Sequence, residues 1–240
     1  MPSSKDDYRK LYQLQDKFLN WISPKELPFY LTGGTALGRF YLNHRYSDDL
    51  DFFTNADPCF QDHIKSLKAS IVNYFDTDME KSLFSEDFAR FYIAFEHLSL
   101  KVEFVNDMPF RAGEPIHWSM GKIDTPLNIL SNKLTAVTGR DEPKDVCDII
   151  FIAMNYAFNW KAVFLDAKKK AVINEIDIEE RLNTFPVDLL KSINWIEACP
   201  EISELETSLK NITDDFLYGK DNSLGRGKTH ISAATICSDD

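Results

Sequence analysis

Two aspartates, Asp49 and Asp51, stand two apart in the segment Asp49-Leu50-Asp51-Phe52. Fifteen residues upstream of Asp49 lies Gly34, in Leu31-Thr-Gly-Gly-Thr-Ala-Leu37. If Asp49–Phe53 is a strand, alternation puts both carboxylates on one face and turns Leu50 and Phe52 toward a core. The Gly33-Gly34-Thr35 turn, between an apolar strand and a helix, offers small residues and backbone N–H groups to an anion such as phosphate. Carboxylate pairs beside a phosphate-cradling turn suit magnesium-assisted phosphoryl or nucleotidyl transfer, in which cations stabilise the attacking and leaving oxygens. Asp49 and Asp51 are therefore the first expected metal ligands, for Mg2+ or for Mn2+ in its place.

The elements that must position these groups follow from the pattern. Residues 5–22 read as an amphipathic helix with Leu11, Leu14, Phe18 and Trp21 on one side, closed by Pro24 and Pro28. Phe29–Thr32 is a first strand, Ala36–Leu42 a helix, Asp49–Phe53 a second strand, and Pro58 opens a helix to about Phe75. Leu83–Asp107 alternates apolar and polar residues as two or three antiparallel strands. Residues 113–125 read as loops and a last short strand. After Pro126 the pattern turns helical, over 127–139, 143–158, 160–171, 186–198 and 201–218. The expected architecture is α/β (α+β): a mixed, mostly antiparallel sheet with flanking helices over residues 1–125, a helical bundle over 126–220, and a flexible tail over 221–240.

Composition bounds the function. The 240 residues, 44% hydrophobic with 18 Phe, can build a sizeable core. A net charge of −11 argues against a broad nucleic-acid surface and leaves room for a local basic one. The four scattered cysteines form no Cys-x-x-Cys pair, so neither a zinc site nor a disulfide framework is indicated. There is no apolar leader and no apolar run long enough to span a membrane, which makes the cytoplasm the expected location. Gly225-Arg-Gly-Lys-Thr229 fails as a phosphate loop, because Asn222 stands where its first glycine should be. Lys168-Lys-Lys170 reads as a solvated helix end, with contact to an acidic partner such as RNA as the alternative.

The pattern Gly33-Gly34-Thr35-Ala36-Leu37, His44-Arg45, Ser47 and Asp49-Leu50-Asp51-Phe52 resembles the nucleotidyltransferase-like toxins of bacterial abortive-infection systems, the AbiEii/AbiGii type, within the polymerase-beta-like superfamily. A second block, Lys133, Ala136, Arg140, Lys144-Asp145 and Asp148, resembles the downstream signature of the toxin branch.

The resemblance implies a nucleotidyltransferase-type fold and transfer of a nucleotide from a nucleoside triphosphate to an acceptor. RNA, such as transfer RNA, is the leading acceptor, and a cognate antitoxin is an expected partner. It also implies a third carboxylate on a neighbouring strand. Glu103 fits that place, with Val102 and Phe104 on the opposite, buried face. Thr35 stands where the superfamily has Ser and keeps the hydroxyl. Lys133 is expected to neutralise leaving-group charge, with Arg140 seven residues on. Lys144, Asp145 and Asp148 are carried as nucleotide- or acceptor-side residues, Asp148 alternatively buried against Arg140. Ser47 either orients the carboxylate strand or contacts phosphate. Arg45 and His44 contact nucleotide or acceptor, or serve as structural loop residues. The competing readings are a small-molecule nucleotidyltransferase of the aminoglycoside type and a non-catalytic nucleotide-binding regulator.

Overall fold

A computed structural model describes Pro2 and residues 4–237 of the chain. The chain divides into two compact units, the first made of residues 1–36, 47–109 and 115–124 and the second of 37–46, 110–114 and 125–240.

The first unit opens with α1 (Lys5–Ile22), whose Ser4 cap accepts a hydrogen bond from the Asp7 N–H and whose first turn carries Asp6 and Asp7. Such a cap is worth about 1 kcal/mol. Tyr8, Leu11, Gln15, Phe18, Leu19 and Ile22 recur at helical spacing and are buried. After β1 (Tyr30–Thr32) the chain enters α2 (Gly33–Leu37) directly. Then come β2 (Leu50–Asn55), α3 (Phe60–Tyr74), β3 (Leu83–Phe84), β4 (Phe88–Phe95), β5 (Leu98–Asp107), β6 (Ile116–Trp118) and β7 (Gly121–Ile123). The seven strands form one sheet in the order β3-β4-β5-β2-β1-β7-β6. It is mixed: β2 runs parallel to β5 and β1 to β7, while the other neighbours are antiparallel.

Alternation decides the faces. Leu50 and Phe52 of β2 and Leu98, Leu100, Val102 and Phe104 of β5 are buried. Phe52 stacks on Phe104 at 5.2 Å, and Phe18 of α1 lies 5.9 Å from Phe52. Phe29 closes on Phe104 at 5.0 Å and on Phe60 of α3 at 6.0 Å. The opposite face of the same strands is left for polar side chains.

The second unit holds α4 (Pro126–Val137), α5 (Pro143–Asn155), α6 (Trp160–Lys168), α7 (Glu175–Asn183) and α8 (Ile202–Leu217). Thr125, Asn159 and Asn174 cap α4, α6 and α7 through their side chains, and Pro begins both α4 and α5. Ile129, Leu130, Leu134, Ile149, Ile150, Ile152, Trp160 and Ile212 build its core, each 1% exposed or less.

Three sequence expectations are corrected in this unit. The helix expected over 186–198 is a 3-10 turn, Val187–Ser192, followed by irregular chain. There the Asn194 carbonyl accepts from the Tyr46 N–H at 2.8 Å and Trp195 bridges Arg45 in strand fashion, so tertiary pairing takes the backbone groups a helix would use. A helix not expected, α7, forms over 175–183 with acids in its first turn and Arg181 in its last, a capping pattern the weak apolar periodicity concealed.

The third concerns the tail, which is not loose: residues 220–237 are docked. Asn222 is buried, and its Nδ2 donates to the Ala153 and Tyr156 carbonyls at 2.7 and 2.8 Å. The Ile231 N–H donates to the Ala157 carbonyl and the Ala157 N–H to Thr229, which also stops α5 at Asn155 instead of 158. Residues 238–240 of the expected tail lie outside the described residues. A Cβ at Gly225 would fall 1.8 Å from the Tyr156 oxygen. Gly225→Ala is therefore expected to destabilise the segment by roughly 1–3 kcal/mol. Limited proteolysis checks this, with new cleavage confined to 220–237.

Candidate active site

The polar face of the sheet carries one row of side chains in register. Arg90 of β4 pairs with Glu103 of β5, Glu103 with Asp51 of β2, and Asp51 with Thr32 of β1. Thr32 Oγ1 then donates to Asp124, just beyond β7, at 2.6 Å. The parallel β2–β5 register puts Asp51 beside Glu103, and Asp49 precedes β2 by one residue. The structure thus brings Asp49, Asp51 and Glu103 together on one face.

Two cations that the sequence reading did not single out accompany them. Lys101 Nζ lies 2.9 Å from Asp49 Oδ2 and 3.5 Å from Glu103 Oε1, and Arg90 Nε donates to Glu103 Oε1 at 2.6 Å. Lys101 could have been found from its alternation with Glu103; Arg90 needs the strand register, which no local pattern supplies. Buried Asp124 was missed for the same reason.

Crowding sets the electrostatics. Burial, and then the negative charges of Glu103 and Asp49, push the Asp51 carboxyl up to about 7. Lys101 is held above its ordinary value, burial being outweighed by its hydrogen bond to Asp49 and the charges of Asp49 and Glu103. Carboxylates that repel one another when ionised, all with hard oxygen donors, are what a divalent cation such as Mg2+ stabilises. These residues fit such an ion.

The glycine turn is tied to the same carboxylates. Gly33 has φ +70°, and a Cβ there would sit 2.8 Å from Asp51 Oδ2. The site thus needs glycine both for the backbone conformation and for the approach of the carboxylate. Gly33→Ala is expected to cost about 1–2 kcal/mol from the left-handed backbone alone and to displace Asp51. A melting curve measures the first effect and divalent-ion affinity the second. Gly33 and Gly34 are partly exposed, so their backbone is reachable. Thr35 is buried, and its hydroxyl donates to the Asp49 carbonyl, so in this structure it holds the carboxylate segment in place. Ser47 is anchored through its backbone: its N–H donates to Tyr12 Oη at 3.2 Å and its carbonyl accepts from Gln15 Nε2 at 3.1 Å.

The second unit gathers most of the downstream candidates into an ion network, buried at Lys133, Asp145 and Asp148 and open to solvent at Arg140. Arg45 donates to both oxygens of Asp148, Nε to Oδ1 and Nη2 to Oδ2, each at 2.7 Å. Lys133 Nζ bridges Asp148 Oδ2 at 2.8 Å and Asp145 Oδ1 at 2.6 Å. Arg140 grips Asp145 through Nε at 2.7 Å and Nη2 at 3.2 Å. The partner of Arg140 is therefore Asp145 and not Asp148. The helix explains this: Asp145 lies in the first turn of α5, within reach of the loop carrying Arg140, and Asp148 lies one turn deeper. His44 Nε2 completes the set, 2.9 Å from Asp148 Oδ1. Lys144, on α5 beside Asp145, is partly exposed.

Burial alone would raise the Asp148 carboxyl, yet the charges of Arg45 and Lys133 and the hydrogen bonds of His44 and Arg45 hold it well below the usual carboxylate range. Burial opposes the charge on Lys133, but Asp148 and Asp145 raise it on balance. Burial likewise lowers His44 more than Asp148 restores it, so the ring is neutral near pH 7. His44, Cys147 and Asp148 bring three ligand atoms within 4.8 Å of one another. They fit a cation poorly, since burial pushes the Cys147 thiol up and both Asp148 oxygens already accept from Arg45 and Lys133.

With this geometry established, comparison with known proteins decides the family. Residues 18–211 match the family described as nucleotidyl transferase AbiEii toxin of type IV toxin–antitoxin systems. The chain belongs to the AbiEii nucleotidyl transferase toxin family. Among solved structures, JHP933 of Helicobacter pylori shares the fold with a TM-score of 0.57 at 20% identity, covering 90% of this chain and 94% of that one. A putative nucleotidyltransferase of Helicobacter pylori matches with a TM-score of 0.56 at 20% identity, over 90% of this chain and 96% of its own. MenT4, a nucleotidyltransferase toxin of Mycobacterium tuberculosis, matches with a TM-score of 0.50 at 14% identity, over 91% and 86%. No curated protein matches the chain in sequence comparison. Among the described residues, no helix of this AbiEii family member is long and apolar enough to cross a membrane.

Proposed function

We propose that this AbiEii-family chain transfers a nucleotide from a nucleoside triphosphate to RNA, with transfer RNA the first candidate, as the toxin of a pair whose cognate antitoxin keeps it in check. The observation that carries the reading is the register row that sets Asp51 beside Glu103, with Asp49 one step before β2 and Gly33 against the Asp51 carboxylate. Asp49, Asp51 and Glu103 would hold Mg2+ or Mn2+, and the bound cation supplies charge neutralisation for the attacking and leaving oxygens. The backbone of Gly33 and Gly34 is open to phosphate oxygens, while Thr35 and Ser47 keep the Asp49 segment in place. Lys101 and Arg90 orient Asp49 and Glu103 through their ion pairs. To Arg45, Lys133, Arg140, Lys144, Asp145 and Asp148 we assign nucleotide- or acceptor-side roles on the family resemblance. Lys133 and Arg140 supply positive charge, and Asp145 and Asp148 fix where it sits. A cytoplasmic location follows from the substrates.

The test is incubation with each labelled nucleoside triphosphate and Mg2+, offering total transfer RNA in one arm and a panel of aminoglycosides in another. Label appearing in RNA, from one nucleotide in preference to the others, is the expected result. Label in the aminoglycoside arm alone would replace the acceptor. Metal-dependent nucleotide binding without transfer in either arm would turn the reading into that of a nucleotide-binding regulator.

A further inference from the structure

The docked segment after α8 has a second property. Lys220, Arg226, Lys228 and His230 are all exposed on it, and Lys161 lies against it, its side chain 3.2 Å from where a Cβ of Gly219 would be. The protein carries 38 acidic against 27 basic residues, and many of its surface cations are neutralised locally, as in Lys10–Glu96, Lys65–Asp62, Lys81–Asp78, Arg181–Asp141 and Lys191–Asp188. Lys161, Arg226 and Lys228 make no ion pair among the described residues. In a chain with surplus acid, the strap carries two unneutralised cations, Arg226 and Lys228, with Lys161 of α6 beside its start, against one acid of its own, Asp221.

The strap is also anchored. The buried Asn222 amide, the Asn222 N–H bonded to Phe158 O, the Ile231 N–H bonded to Ala157 O and the absence of room for a Cβ at Gly225 fix the backbone at both ends of the loop. The Lys228 N–H closes on Gly225 O at 3.0 Å, so Arg226 and Lys228 project from a closed turn. At its start stands Tyr218, an aromatic ring 68% exposed, with Lys220 Nζ 4.6 Å from its centroid. Unpaired cations on and beside an anchored strap that begins with an exposed ring match a polyanion that also offers flat faces to stack.

We infer that the strap Tyr218–His230, with Lys161, is an RNA-binding surface, contacting phosphates through Arg226, Lys228 and Lys161 and stacking a base on Tyr218. This rests on the proposed RNA acceptor and places a binding surface for it on the second unit. Because the charges serve the RNA and not the nucleotide, the strap sets the KM for RNA and leaves nucleotide affinity alone.

The experiment compares the full chain with R226E/K228E, R226Q/K228Q and Y218A. It reads RNA binding across a salt series, nucleotide binding, transfer kinetics and melting temperature. The expected result is a tenfold or greater rise in Kd and KM for transfer RNA in the charge-reversed variant, with kcat, nucleotide affinity and melting temperature unchanged. In R226Q/K228Q the slope of log K against log salt should flatten by about 0.7–0.9 per lost phosphate contact. RNA affinity and salt slope unchanged in both charge variants would overturn the inference. If antitoxin binding fell in them instead, the strap would be a protein-docking face. Wild-type protein that binds no RNA overturns both this inference and the RNA acceptor. Strap-dependent RNA binding without label transfer overturns the catalytic reading alone.

Discussion

Asp148→Ala should destabilise the second unit by about 3–5 kcal/mol, the usual cost of removing one partner from a buried ion pair. Asp148 is fully buried and accepts from Arg45, Lys133 and His44 at 2.7–2.9 Å, so its loss leaves a buried guanidinium without its counter-ion. Denaturant unfolding followed by circular dichroism measures this, and Arg45→Ala should cost a similar amount. A double replacement of Arg45 and Asp148 by apolar residues of matching volume should cost less than the sum, because no charge is then stranded. The same network sets an acid limit. Asp148 and Asp145 have folded-state values below their unfolded ones, so their stabilisation is complete above the unfolded value, about 3.9, and is lost as pH falls through the folded values. Stability should therefore decline from about pH 4 downward, and the decline should be shallower in the apolar double variant.

Asp51→Asn should abolish transfer, by on the order of a thousandfold or more, equivalent to about 4 kcal/mol on the barrier. Asparagine keeps the size but removes one of the three anions that would hold the cation. Because Asp51 is crowded by Glu103 and Asp49, the neutral side chain should leave the fold intact or slightly more stable. Loss of activity together with an unchanged or raised melting temperature separates a functional carboxylate from a structural one. A variant that keeps full activity would remove Asp51 from the site. Lys101→Met is a useful companion, since Lys101 orients Asp49 by charge and its loss should leave measurable, weakened transfer.

Much of the sheet was legible in the chain because alternation is local. Leu50-Asp51-Phe52 and Val102-Glu103-Phe104 each declare a buried and an open face within a few residues, and adjacent strands then bring the open carboxylates together. What escaped was non-local. The Arg45–Asp148 contact joins residues 103 apart, and the sequence offers only a basic loop residue and an α-helical acid that could have faced anything. The stretch 186–198 has helical composition but spends its backbone on residues 44–46, and α5 ends early because Ala157 pairs with the strap. The strap reads as loose because it is rich in Gly, Ser and charge. It is held by one buried asparagine amide and a glycine that leaves no space for a side chain, and neither has a periodic signature.

The most direct measurement is transfer from a nucleoside triphosphate labelled either at the α- or at the γ-phosphate, in Mg2+, with transfer RNA as acceptor and an Asp49→Ala, Asp51→Ala double variant alongside. The expected result is α-label on the RNA, unlabelled RNA from the γ-labelled nucleotide with its label released in pyrophosphate, and neither product from the double variant. γ-Label on the acceptor, or α-label transferred equally well by the double variant, would contradict it.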